Sequence, residues 1–175
     1  IVQQIALRDD TIVGNRSAKI AAIMALSHFP LETTRGVLLK ILHETDDVGI
    51  GMRSALALVQ VGELDISFKF IKEHYSSYEV LDNVVSALMI INTPDAIDIL
   101  RQLSYHKNPT YALDALAALS LLGYCDFAFE GFKRYTNTDI GSTLHMVAWC
   151  LVYYIGTPEA IDVAMSICQD KYTHI

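Results

Sequence analysis

The segment INTPDAID at 91–98 returns as IGTPEAID at 155–162, 64 positions later. A chain that copies itself at a fixed spacing is restricted to architectures in which one supersecondary unit stacks on further copies of itself. The underlying period is about 31 residues: the apolar residues Phe29, Val61, Ile91, Leu122 and Ile155 follow one another at steps of 32, 30, 31 and 33. Three positions ahead of the first four stand Leu26, Leu58, Leu88 and Leu119, each preceded by an alanine (Ala25, Ala57, Ala87, Ala118). Cys150 and Leu151 take those places in the fifth unit if its helix carries one extra residue. A column of small side chains beside a column of leucines lets helices approach closely while the leucines fill the space between units.

Each period reads as two helices. The first, as in SALALVQV or ALDALAALSLL, is apolar around most of its circumference, which suits a helix packed against its partner and both neighbours. The second, as in AIDILRQL or FAFEGFKRY, mixes apolar and charged residues at helical spacing and is expected to keep a wet face. In NTPDAID and GTPEAID the threonine is an N-cap, the proline occupies the first helical turn, and an acid faces the positive end of the helix dipole. Units two and four use a different turn, GELDISFKFI at 62–71 and GYCDFAFEGF at 123–132, so the two turn types alternate. Acidic segments also precede first helices, RDDTIVG at 8–14, TDDVGIG at 45–51 and NTDIG at 137–141, and they read as caps. They lack the ligand spacing of a calcium loop.

Composition then narrows the function. With 52% hydrophobic and 19% charged residues the chain fills a core, and a net charge of −7 disfavours a general grip on phosphate backbones or anionic lipid. Three cysteines, Cys125, Cys150 and Cys168, without a C-x-x-C pair suggest neither a disulfide framework nor zinc, and a reducing, cytoplasmic setting is expected. The longest uncharged apolar stretch, MVAWCLVYYIG at 146–156, is shorter than the roughly 20 residues a membrane span needs.

The acidic turn, the Ala-Leu pair and the Gly-x-x-Asp or Gly-Thr-Pro-Glu-Ala turn resemble HEAT-like repeats of the short variety described in phycobilisome lyases, over nearly all of the chain. The resemblance implies an all-α fold, an α-α superhelix or solenoid of about five helix pairs. The whole of 1–175 is then a single repeat domain. Residues 1–13 trail a preceding repeat, and the repeats cover 14–48, 49–78, 79–108, 109–139 and 140–175, expected to be part of a longer array. The arginine that often begins the first helix of such repeats is not regular here, with Lys19, Gly51, Leu81 and Ala112 near that place. The implied function is a protein–protein interaction module that holds a partner protein or peptide, acidic or extended, on the concave face lined by second helices. A bilin lyase or chromophore-handling subunit is the alternative. Cofactors, metals, nucleic acid and membrane are not expected as partners.

Candidate partner-binding residues form two columns. Lys40, Lys72, Arg101 and Lys133 occupy equivalent points of four second helices, and Tyr75, Tyr105 and Tyr135 recur near the ends of second helices, with Tyr78 and Tyr111 nearby. Each column also has a plainer account: Asp98 and Glu130 sit three residues before Arg101 and Lys133 as ordinary helix-surface partners, and tyrosines cover turns between units. His43-Glu44 is the single His-Glu pair. His74 and His106 read as polar caps, and His145, inside the fifth apolar helix, as a hydrogen-bonded core histidine. No catalytic residues are visible: the chain has no H-E-x-x-H, no phosphate-cradling glycine loop and no Ser-His-Asp order. Trp149, Tyr153, Tyr154, Ile161, Met165 and Ile167 leave little polar surface in the last unit, so it is expected to stack on further repeats or, by self-association, on a second copy.

Overall fold

The computed structural model describes residues 1–7, 13–76, 81–137 and 141–172. Among these the chain is all-α, with eleven α-helices and no strand. A short α1 (Val2–Ala6) is followed by α2 (Val13–Leu26), α3 (Leu31–Glu44), α4 (Val48–Gln60), α5 (Leu64–His74) and α6 (Leu81–Ile91). Then come α7 (Pro94–Leu103), α8 (Pro109–Leu121), α9 (Cys125–Lys133), α10 (Gly141–Cys150) with a π-helical extension over Leu151–Ile155, and α11 (Pro158–Tyr172). The helices α3, α5, α7, α9 and α11 start at steps of 33, 30, 31 and 33.

Local chemistry sets these boundaries. Among the described residues, positive φ occurs at Gly62 (94°), Asn92 (46°), Gly123 (92°) and Gly156 (66°), each just past the end of a first helix. At the first glycine turn the Glu63 N–H donates to the Leu58 carbonyl (2.9 Å) and Gly62 N–H to Val59 (3.1 Å), and at the second Tyr124 N–H donates to Leu119 (2.9 Å) and Gly123 N–H to Ser120 (3.0 Å). Both are Schellman closures, which take the last carbonyls of the helix out of water. In the other turn type the Thr93 and Thr157 hydroxyls accept from Ala96 N–H (3.3 Å) and Ala160 N–H (3.2 Å), as N-capping predicts. The fifth first helix absorbs its extra residue in the π turn, where Gly156 N–H reaches back five residues to the Leu151 carbonyl (2.9 Å).

The helices form two compact units, Ile1–Ile91 and Asn92–Ile175, and the boundary falls in the turn within the expected 79–108 repeat. In the first unit α4 packs against α2, α3, α5 and α6. In the second, α8 packs against α7, α9 and α10, and α10 against α11. The leucine column is buried throughout, with Leu58, Leu88 and Leu119 fully so, beside Ala57, Ala87 and Ala118. Close approach within pairs has a steric signature. A Cβ on Gly131 of α9 would overlap the Leu116 side chain of α8, and one on Gly51 of α4 would strike the Phe70 ring of α5.

Polar contacts within each unit span one period. Arg16 of α2 grips the Asp47 carboxylate with Nε (2.8 Å) and Nη2 (3.1 Å), 31 residues apart. Gln3 donates to the Thr33 carbonyl (2.6 Å, 30 apart), Arg35 pairs with Glu63 (28 apart), and Arg134 Nη2 donates to the Ser104 carbonyl (3.1 Å, 30 apart). Asp47 is also the N-cap of α4, accepting from Ile50 N–H at 3.0 Å. The other two acidic turns, at 8–14 and 137–141, include residues outside the described ones.

The Arg16 guanidinium, followed by the Ile50 amide, holds the Asp47 carboxyl below the usual carboxylate range. A carboxylate whose folded pKa is depressed contributes stability above its unfolded pKa and loses it as pH falls through the folded one. Asp47→Asn is therefore expected to lower stability by about 1 kcal/mol at neutral pH. It is also expected to make unfolding less steep between pH 4 and pH 2, roughly the window below an ordinary aspartate pKa. Denaturant melts of both proteins across that window check it.

Candidate interaction surfaces

The four cations of the expected column are each occupied within their own unit. Lys40 and Lys72 are exposed on α3 and α5, and Lys40 Nζ lies 4.0 Å from Glu44. Lys72 Nζ sits 5.9 Å above the Phe68 ring one turn earlier, and Lys133 sits 4.8 Å above Phe129 in the same arrangement. Lys133 also pairs with Glu130 at 2.5 Å and Arg101 with Asp98 at 3.2 Å, the local pairing that the three-residue spacing announced. Such exposed pairs contribute little to stability. Arg101 does more, because its guanidinium lies 5.1 Å from the Tyr124 ring and 5.8 Å from Phe127, so it ties α7 to the start of α9.

The tyrosines divide. Tyr105 is exposed just after α7, and the Arg134 guanidinium stacks on it at 4.1 Å while bonding the Ser104 carbonyl. Tyr135 is half-buried against the core of the second unit, and Tyr75 is half-buried at the end of α5. Tyr78 lies outside the described residues. Tyr111 meets the edge of His106 at 5.4 Å. The sequence missed Arg134, whose signal was its 30-residue distance from Ser104, one period.

Two histidines cap as expected. His74 Nδ1 contacts the Phe70 carbonyl at 3.0 Å with its ring stacked on Phe70, and His106 Nδ1 accepts from Asn108 N–H at 3.1 Å. His145 corrects the sequence expectation: it is exposed, not buried. It belongs to a stripe with Trp149 and Val152 along one side of α10, which together with Ile161, Met165 and Cys168 of α11 lines an apolar groove of about 760 Å³. Trp149, which lines it, stacks on Tyr153 at 4.8 Å and 9°, and Tyr154 meets both edge-on. Ile167, one of the apolar residues of the last unit, is buried.

Burial, reinforced by the Asp114 carboxylate, pushes the Cys150 thiol up to about 11, so it remains protonated and unreactive at neutral pH. Among the described residues no group of three or more His, Cys, Asp or Glu is placed to hold a metal, and no helix is long and apolar enough to cross a membrane. Compared with known proteins, the chain matches no family model, no curated protein and no solved structure.

Proposed function

We propose that the chain is a HEAT-like α-solenoid module that binds a partner protein or peptide on the surface of its second helices. The observation that carries the reading is a recurring recognition element: Lys72 above Phe68 and Lys133 above Phe129, the same cation-over-ring pair at equivalent places of α5 and α9. A lysine held over a ring on a helix surface offers an acidic side chain a positioned charge and an apolar bed together. Arg134 over Tyr105 adds a second element of that kind in the same unit as Lys133. The occupant that fits the second helices of either unit is an extended acidic peptide, gripped by a few modest contacts at repeat spacing within that unit.

The test uses an array of extended glutamate- and aspartate-rich peptides. Lys40 and Lys72 are the residues to reverse, because both are exposed, whereas Arg101 is engaged by Tyr124 and Phe127. Lys40→Glu combined with Lys72→Glu is expected to weaken an acidic peptide about tenfold at low salt, near 1.4 kcal/mol, with the melting temperature unchanged. Binding that is indifferent to the double reversal, or no acidic peptide bound at all, contradicts the reading.

A further inference from the structure

The Arg134 guanidinium, just past the end of α9, is fixed by two carbonyls and a ring. Nε donates to the Gly131 carbonyl at 3.2 Å, Nη2 donates to the Ser104 carbonyl at 3.1 Å, and the centre of the Tyr105 ring lies 4.1 Å away. Both carbonyls stand at helix C-termini, where the dipole favours a cation. A guanidinium can grip an oxyanion with either of two forks, Nε with Nη2 or Nη1 with Nη2. The backbone occupies the first fork here. The second stays open: Arg134 is exposed, and its Nη1 neither bonds to a described residue nor is shut away from water. Arg101 of α7 and Lys133 of α9 differ in this respect, because they pair with Asp98 at 3.2 Å and Glu130 at 2.5 Å. Among the described residues no carboxylate pairs with Arg134, so an incoming one displaces nothing, and it meets a long side chain that is already ordered.

We infer that Arg134 grips one carboxylate of a bound acidic peptide end-on, through Nη1 and Nη2, with the Tyr105 ring and the Ser104 and Gly131 carbonyls fixing the angle of the fork. The inference rests on the acidic-peptide reading above and adds which atoms select the ligand. A planar fork held in one orientation matches the two oxygens of a carboxylate, whereas a lysine at the same place offers a point charge indifferent to their plane. Charge favours a carboxylate over a phosphate dianion, because Asp98 and Glu130 already offset the cations next to it on α7 and α9 and leave one unpaired positive charge there. Arg134 thereby sets orientation in the second unit, a role that the exposed lysines of the first do not have.

The test follows the guanidinium itself by nitrogen-15 NMR of the arginine side chains, with capped hexaglutamate as the probe and capped hexaglutamine as its neutral counterpart. Hexaglutamate is expected to move the Arg134 signals and to leave those of Arg16, whose fork is closed on Asp47, in place. Hexaglutamine is expected to move neither. Arg134→Lys keeps the charge and is expected to weaken hexaglutamate about tenfold at low salt, with unchanged far-ultraviolet circular dichroism. Arg134 signals that stay put while hexaglutamate binds and the Lys40→Glu, Lys72→Glu pair weakens it overturn the inference and leave the reading above standing. Signals that move while that pair changes nothing support the inference and contradict the role given to the two lysines. Equal affinity in wild type and Arg134→Lys, or a shift caused equally by hexaglutamine, overturns the inference alone, and no binding of hexaglutamate overturns both.

Discussion

Phe132→Ala is expected to cost about 3–5 kcal/mol and to lower the melting temperature by roughly 10 °C. Phe132 is among the largest fully buried side chains, and it shares its cluster with Leu113 and Leu116 of α8 and with Leu144 and Val147 of α10. Truncation at the centre of three helices leaves a cavity that none of them can close alone, because Gly131 already brings the α9 backbone against Leu116. Met165, one period later at the equivalent place of α11, supplies the contrast. It is 54% exposed, and Met165→Ala is expected to change stability by no more than about 0.5 kcal/mol. A thermal melt of the two variants side by side checks both, and equal costs would mean that the register linking α9 to α11 is misassigned.

Leu88→Ala is expected to cost about 2–5 kcal/mol in the first unit. Leu88 is fully buried on α6, next to Ala87 in the small-residue column, and α6 packs against α4. The alanine lets the helices come close, so the leucine beside it has few neighbours able to move into the space it vacates. Chemical denaturation checks the magnitude, with an unchanged midpoint as the contradicting result.

Much of this fold was legible because turn chemistry is local. Thr93 and Thr157 cap the helices that their motifs announced, and Gly62 and Gly123 adopt the left-handed backbone that a Gly-x-x-Asp turn requires. The leucine column and its alanines at 57, 87 and 118 are buried as the period demanded, while Ala25 is half-buried. Even the extra residue of the fifth first helix was visible as an offset, although only the structure shows that a π turn accommodates it. What the sequence concealed depends on pairs a full period apart. Arg16 and Asp47, or Arg134 and Ser104, carry no mark of partnership until the units are folded together.

The surfaces were less legible for a related reason. Periodicity says that a helix is apolar all round, and on that ground His145 reads as a core residue; Leu113 and Met52, at the corresponding points of α8 and α4, are indeed buried. Burial there depends on the next helix pair, not on α10 itself. The basic column suffers from the same blindness. Its spacing is plain in the sequence, whereas the rings beneath Lys72 and Lys133 and the two rings around Arg101 are consequences of packing.

The central claim is that within each unit a first helix is held by the first helix of the next period. Amide hydrogen exchange on the wild type and Leu88→Ala tests it most directly. If neighbours stabilise one another, loss of the Leu88 side chain on α6 is expected to speed exchange in α4, Val48–Gln60, together with α6 itself. Faster exchange confined to α6, with α4 as protected as before, would contradict it.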